Sequence, residues 1–239
     1  MFIDIRLGIS VRTGYLVIYN FVLAVAFTWT VIELILNYLK DGSDYFPRVY
    51  PEVGGRWWIC QLAQWLDVVH TLLRLTPGSP FSAAMQHFSR TLVLFLLHVE
   101  PRLQTVDPLV WYLLVVWGGI EVVRYPFYIL SALKTELKIL TWLRYTLWIP
   151  LYPTGISLEA MIIYRAVPYF EETGRFSTTI HDIPIKFPQI LLAYIFIGLL
   201  PGGLYLINFM RTQRQKKLGL QPQAQKGKPR SGAKDKKIK

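Results

Sequence analysis

The chain has 239 residues, of which 53% are hydrophobic and 15% aromatic, whereas only 17% are charged. This balance excludes a disordered chain and an ordinary soluble domain. The formal net charge is +11, but 11 of the 26 basic residues and only one of the 15 acidic residues follow residue 210. The charge therefore belongs to a tail and does not indicate a nucleic-acid-binding surface.

Six apolar segments follow one another along the chain, each about as long as the roughly 20 helical residues that cross a bilayer. They are residues 15–39, 57–75, 81–99, 108–130, 139–164 and 187–209. The second and third segments carry polar groups that fit a membrane only if they face the protein interior. In the sixth, Pro201 and the two glycines after it predict a kink. The sequence thus predicts an all-α polytopic membrane protein with about six transmembrane helices.

The basic tail predicts the orientation of these helices. An even number of spans places both termini on one side, and the positive-inside rule predicts that this side is cytosolic. We therefore divide the chain into a transmembrane catalytic domain, residues 1–210, and a disordered cytosolic tail, residues 211–239. Lys236 and Lys237 lie where a dilysine retrieval signal of endoplasmic-reticulum membrane proteins lies. Contact of these lysines with anionic lipid is the alternative interpretation.

Ionisable residues inside the predicted spans are the first functional candidates, because charge in a membrane is costly and often functional. They are Glu33, Asp67, His70, Arg90, Glu121, Arg124, Arg144 and Glu159. Several have opposite charges, so buried ion pairs that only fix helix packing explain most of them equally well.

The fifth segment contains a phenol and a carboxylate seven residues apart, Tyr152 and Glu159. In a helix this spacing places both about 20° from alignment on one face and about 10.5 Å apart along the axis. Pro153 and Gly155 lie between them and can bend the helix. A substrate can therefore bridge the two groups, although a membrane-interface anchor and a packing partner fit the same spacing.

Several blocks of the chain together resemble the membrane 3-hydroxyacyl-CoA dehydratases of very-long-chain fatty-acid elongation. The blocks are Tyr-Leu-Val-Ile-Tyr-Asn at 15–20, Gln86 with Ser89 and Arg90, Glu-Val-Val-Arg-Tyr-Pro at 121–126, Trp-Leu-Arg-Tyr-Thr at 142–146, Leu-Tyr-Pro-Thr-Gly at 151–155, and Glu159. They follow the order and spacing of that family from about residue 15 to 211. Asp67 departs from the pattern, because members of the family more often carry Glu there. The chain resembles the minimal membrane form, without the cochaperone-like domain of some relatives.

The resemblance implies loss of water from a (3R)-3-hydroxyacyl-CoA to give the trans-2-enoyl-CoA, the third step of elongation. It implies Tyr152 and Glu159 as the catalytic pair, with Glu159 as the base and Tyr152 as the proton donor, or with these roles exchanged. The supporting residues that it implies are Gln86, Arg90, Glu121, Arg124, Arg144, Tyr145 and Gly155. Arg124 and Arg144 either pair with Glu121 or orient the catalytic carboxylate, and contact with the phosphates of coenzyme A is the alternative for any of the arginines. Gly155 permits close helix approach.

The implied partners are the acyl-CoA substrate, membrane lipid, and the condensing enzyme, ketoacyl reductase and enoyl reductase of elongation. No cofactor or nucleic acid is predicted as a partner. No metal is predicted either, because His70 and His181 lack metal-ligand spacing. A catalytically silent scaffold or lipid receptor of the same fold is the alternative, and a small transporter ranks behind it. A cysteine phosphatase is excluded, because Cys60 is followed six residues later by Leu66 and not by an arginine.

Overall fold

The structure is a computed structural model and describes residues 10–105, 108–181 and 183–219. The predicted dilysine signal, with most of the predicted tail, lies outside these residues. The first seven residues of that tail, 211–217, are not disordered, because they form the end of a helix. The described residues are mostly helical, which confirms the predicted class. The helices are α1 (Val11–Asp41), α2 (Val49–Leu72), α3 (Pro80–Val99), α4 (Leu109–Ala132), α5 (Lys138–Arg144), α6 (Trp148–Thr173), α7 (Phe187–Ala193) and α8 (Leu200–Lys217). Strands β1 (Thr178–Ile180) and β2 (Ile183–Ile185) form an antiparallel hairpin.

The helix ends follow the local sequence. The Ser10 hydroxyl accepts a hydrogen bond from the Thr13 amide and begins α1, and Ser79 does the same for α3, where Pro80 occupies the first helical position. Gly174 has a left-handed conformation, with φ of 63°, and ends α6. A 3₁₀ turn, Gly42–Arg48, connects α1 to α2.

Four stretches of described helix are long and apolar enough to cross a membrane. They are Val11–Leu72, which contains both α1 and α2, Leu109–Ala132, Lys138–Thr173 and Phe187–Lys217. The polar first half of α3 keeps that helix out of this set. The structure therefore supports a polytopic membrane protein, and the count of six spans stays a prediction.

The last two predicted spans contain breaks in the regular helix. Residues 139–164 divide into α5 and α6, because a turn at residues 145–147 separates them. The irregularity predicted at Pro201 begins earlier, as a π-helical segment at Tyr194–Leu199 between α7 and α8. Pro201 has no amide hydrogen to donate to the preceding turn, which favours a wider turn on its amino-terminal side.

Three sets of contacts assemble the helices. α1 packs along α4, where Trp111 donates a hydrogen bond of 3.0 Å to the carbonyl of Leu34. α2 packs along α3, and the Tyr50 hydroxyl donates to the carbonyl of Leu94 at 3.2 Å. α6 contacts α3, α4 and the α7–α8 unit, so it lies at the centre of the described helices. Trp57 and Trp117 are among the largest side chains in the resulting core.

Candidate active site

Glu159 lies on α6 in the core and is only 7% exposed. Each of its carboxylate oxygens accepts a hydrogen bond from a neighbouring helix. The indole Nε1 of Trp117, on α4, donates to Oε1 at 2.9 Å, and the hydroxyl of Ser89, on α3, donates to Oε2. Two neutral donors from two helices therefore hold the carboxylate in one orientation.

Tyr152 lies two turns before Glu159 on α6, and both residues line one cavity. This cavity encloses about 550 Å³ of space that includes its open mouth. Most of its wall is apolar, with Gln86 and Arg90 as polar members on α3. The ring of Tyr152 packs edge to face on Trp148, with ring centroids 6.2 Å apart. The structure thus places a phenol and a carboxylate in one mostly apolar cavity. An elimination requires an acid and a base that reach the same substrate in this way.

A buried ion network extends from the cavity wall towards α2. Arg90 pairs with Glu121 at 2.5 Å, and Glu121 lies 3.0 Å from Nε of Arg124. Arg124 in turn pairs with Asp67 at 2.6 Å. The guanidinium of Arg90 also lies 5.3 Å from the ring centroid of Trp117, the indole that holds Glu159. Glu121 is fully buried, so the two arginines neutralise a charge that is otherwise very costly.

The structure gives Asp67 a clear place in this network. Besides the Arg124 guanidinium, its carboxylate accepts a hydrogen bond of 2.8 Å from the Tyr19 hydroxyl, and His87 Nε2 lies 3.7 Å away. His70 forms a separate hydrogen bond of 2.9 Å with the Tyr15 hydroxyl. Asp67 therefore anchors α1, α2 and α4 to one another, and it does not line the cavity.

Arg144 and Tyr145 lie at the end of α5, before α6 begins, and neither lines the cavity. Arg144 Nη2 donates to the Tyr128 hydroxyl across 3.4 Å, and its guanidinium lies 5.8 Å from the Tyr128 ring centroid. The Tyr145 ring packs edge to face on Phe127 at 5.8 Å. Of the pairings predicted for the arginines, that with Glu121 is correct for Arg124 and wrong for Arg144.

The prediction that Gly155 permits close helix approach is wrong. A Cβ at Gly155 would lie 3.6 Å from Val116 Cγ1, which is an ordinary van der Waals distance. Close approach occurs at other glycines instead: a Cβ on Gly118 would collide with Val31, and one on Gly203 would lie 2.6 Å from Ile156 Cδ1. Gly155 lines the cavity, where the missing side chain leaves space between Tyr152 and Glu159.

Three residues of the cavity wall, Trp117, Tyr194 and Ser89, were not predicted as site residues. Trp117 lies in an apolar run of the fourth predicted span, where nothing distinguishes it from a core residue. Tyr194, in the π-helical segment, also lines the cavity and lies in an equally apolar run. Ser89 belongs to the dehydratase-like block that includes Arg90. That block was the only sequence feature that could have identified Ser89 as a site residue. No group of three or more His, Cys, Asp or Glu suited to a metal ion occurs among the residues that the structure describes.

Comparison with known proteins shows the family of this chain. A family profile described as "Protein tyrosine phosphatase-like protein, PTPLA" matches residues 61–220, which is about two thirds of the chain and includes Tyr152 and Glu159. The chain belongs to the PTPLA family. Despite the name of this family, Cys60 is buried on α2 and does not line the cavity that holds Tyr152 and Glu159.

Curated relatives in this family carry dehydratase names. The chain is 32% identical over 215 residues to the mouse protein named very-long-chain (3R)-3-hydroxyacyl-CoA dehydratase 3, covering 87% of this chain and 58% of that protein. It is 27% identical over 212 residues to human very-long-chain (3R)-3-hydroxyacyl-CoA dehydratase 4, covering 88% of this chain and 91% of that protein. The chain therefore spans little more than half the length of the first relative and nearly all of the second. No solved structure gives a significant match.

Proposed function

We propose that this PTPLA protein dehydrates a (3R)-3-hydroxyacyl-CoA to the trans-2-enoyl-CoA, the third step of very-long-chain fatty-acid elongation. The observation that carries the proposal is the cavity that Tyr152 and Glu159 line together. The names of the relatives support the substrate class. A role in elongation also predicts three partners in the same membrane, namely the condensing enzyme, the ketoacyl reductase and the enoyl reductase.

The contacts of Glu159 favour its role as the base. Trp117 and Ser89 each donate a hydrogen bond to it, and such donors stabilise a carboxylate over a carboxylic acid. Glu159 removes the proton from C2 of the substrate, the bond between C3 and the hydroxyl oxygen breaks, and the C2–C3 double bond forms. Tyr152 donates its proton to the departing oxygen, which leaves as water. Release of the C2 proton from Glu159 and uptake of a proton by the Tyr152 phenolate restore both side chains, so the net change is the loss of one water.

The apolar walls suit the acyl chain of the substrate. Ile120, Leu151 and Leu206 line the same cavity as the catalytic pair. Each methylene moved from an apolar environment into water costs about 0.8 kcal/mol. A cavity within the membrane therefore lets the enzyme act on a very long chain without transferring that chain to water.

The proposed topology has six spans with both termini in the cytosol, in the endoplasmic-reticulum membrane. Two observations support this topology. Their polar residues Gln61, Gln64, His87 and Arg90 are buried inside the described helices, so these helices can cross the bilayer with an apolar outer face. The last turn of α8 carries Arg214, Lys216 and Lys217, which favours a cytosolic end by the positive-inside rule.

The test is turnover of a very-long-chain (3R)-3-hydroxyacyl-CoA by the purified protein in detergent. Glu159→Gln and Tyr152→Phe each lower kcat about 10²- to 10⁴-fold, which is the usual contribution of general acid–base catalysis. Glu171→Gln and Tyr164→Phe are matched controls, because both residues lie on α6 and are exposed. Near-normal turnover by folded Glu159→Gln refutes the assignment. If the folded wild-type protein forms no product at several chain lengths, it is a silent scaffold of this fold and not a dehydratase.

A further inference from the structure

Among the residues that the structure describes, Arg144 is the arginine of the site that has no acidic partner. Arg90 pairs with Glu121, and Arg124 pairs with both Glu121 and Asp67. In residues 10–105, 108–181 and 183–219, no carboxylate lies within ion-pair distance of Arg144, whose hydrogen bond goes to the Tyr128 hydroxyl at 3.4 Å. A guanidinium withdrawn from water without a counterion is costly, so its position favours an anionic ligand.

Two buried polar atoms that form no hydrogen bond in the described structure lie at the end of α5 and in the turn that follows it. Nε of Arg144 and Oγ1 of Thr146 are both inaccessible to solvent, and neither forms a hydrogen bond in the described structure. An unsatisfied buried donor or acceptor costs about 1–3 kcal/mol, and a charged one costs more. Two such atoms two residues apart leave an N–H and an O–H that can both donate to one ligand.

This turn also lies at the basic end of the helices. Gly203 of α8 approaches Ile156 of α6, and Phe187, at the start of α7, packs on Phe170, near the end of α6, with ring centroids 5.0 Å apart. The α7–α8 unit therefore runs antiparallel to α6. The last turns of α8 consequently extend towards the end of the bundle where Arg144 lies. They carry Arg211, Arg214, Lys216 and Lys217.

The site is correctly placed for the polar end of an acyl-CoA. Glu159 is the eleventh residue after Trp148, where α6 begins. The distance between them along the helix axis is therefore about 16.5 Å. Tyr152 lies between these levels, so the order along the bundle is Glu159, Tyr152, Arg144 and then the basic end of α8. If the pantetheine arm of a thioester at Tyr152 and Glu159 runs towards the basic end of the bundle, its phosphates approach the level of Arg144.

We propose that Arg144, assisted by the hydroxyl of Thr146, binds a phosphate group of the coenzyme A moiety. A planar guanidinium suits phosphate oxygens, because it donates two parallel hydrogen bonds to them. This proposal rests on the proposed function and names the group that recognises the substrate. Arg144 is then a specificity determinant, whereas Arg90 and Arg124 stabilise the fold through their ion pairs.

The experiment compares two thioesters of one 3-hydroxy acid, the coenzyme A thioester and the pantetheine thioester, which has no phosphate. The ratio of kcat/KM for the first to kcat/KM for the second is measured in the wild type, Arg144→Gln and Arg144→Lys. A charge-assisted hydrogen bond of about 1.5–3 kcal/mol predicts that Arg144→Gln lowers the ratio about 10- to 150-fold. Arg144→Lys keeps the charge and lowers it less. Arg165→Gln is the matched control, because Arg165 is exposed on α6, and it leaves the ratio unchanged.

An unchanged ratio in folded Arg144→Gln overturns the proposal, whether both thioesters lose activity or neither does. If both lose activity equally and anionic phospholipid restores it, the guanidinium binds a lipid phosphate and not coenzyme A. If Arg144→Gln does not fold, the decisive measurement is inhibition of the wild type by adenosine 3′,5′-bisphosphate. Competitive inhibition that weakens in Arg144→Lys supports the proposal, and its absence refutes it. A wild type that turns over neither thioester instead refutes the proposed function.

Discussion

Trp117→Phe tests whether the orientation of Glu159 matters for catalysis. The substitution removes the indole N–H that lies 2.9 Å from Glu159 Oε1 and keeps an aromatic ring beside Arg90. A hydrogen bond to a charged, buried group contributes about 1.5–3 kcal/mol. If that contribution is needed to hold the base for proton removal, kcat falls about 10- to 150-fold.

Trp111→Phe is the matched control for this experiment. Trp111 also lies on α4 and also donates one hydrogen bond through its indole, in this case to the carbonyl of Leu34 at 3.0 Å. It does not line the cavity. Both variants lose one indole hydrogen bond and similar volume, so both lower the melting temperature, but only Trp117→Phe lowers kcat by the stated factor.

Ser89→Ala gives a second, independent measure, because it removes the donor to the other oxygen of Glu159. Its control is Ser157→Ala, since the exposed Ser157 hydroxyl bonds only to the carbonyl of Pro153 on its own helix, at 2.9 Å. Steady-state kinetics in detergent, with melting temperatures recorded for every variant, complete the assay. The reasoning is refuted if folded Trp117→Phe and Ser89→Ala both stay within about twofold of the wild-type kcat.

Three further predictions concern stability. Glu121→Gln leaves two buried arginines without their shared carboxylate, and we expect a loss of about 3–5 kcal/mol in unfolding free energy, measured by denaturation in detergent. Gly118→Ala places a methyl group against Val31 and costs about 1–3 kcal/mol, whereas Gly119→Ala, with its nearest side-chain atom 3.8 Å away, is tolerated; equal melting temperatures would contradict this. Outside the spans, hydrogen bonds from Arg102 lower the pKa of Glu100 below its usual 4.5. The resulting stabilisation is present at pH values above the unfolded-state pKa of 4.5 and is lost as the pH falls through the lower, folded-state pKa. In Glu100→Gln, the melting temperature therefore decreases less than in the wild type when the pH is lowered through this range.

The amino-acid sequence predicted the helical class and the placement of Tyr152 and Glu159 on one helix, because both depend on local information. Long apolar runs identify helices by their length, and the spacing of Tyr152 and Glu159 follows from the rise and twist of one helix. The structure keeps both residues on α6 and in one cavity, as that spacing requires. The break between α5 and α6 was not predicted, because the apolar run continues through residues 145–147 without a glycine or proline.

The partners of each charged residue depended on tertiary structure. In sequence, Arg124 and Arg144 are equivalent candidates for an ion pair with Glu121. The tertiary structure brings Arg90 of α3 to Glu121 of α4, and the separation of α5 from α6 leaves Arg144 beside Tyr128. A hydrophobic pattern shows which face of a helix is buried but not which neighbouring helix covers that face.

The sequence by itself therefore determined a membrane-embedded helical protein with a phenol and a carboxylate on one helix face. The tertiary structure alone decided that Trp117 and Ser89 hold the carboxylate, that Asp67 closes an ion network, and that Arg144 has no acidic partner among the described residues. The physical reason is that these contacts join helices that are far apart in the chain. Their free energies depend on the distances between side chains of different helices, and the sequence pattern of a single helix does not specify those distances.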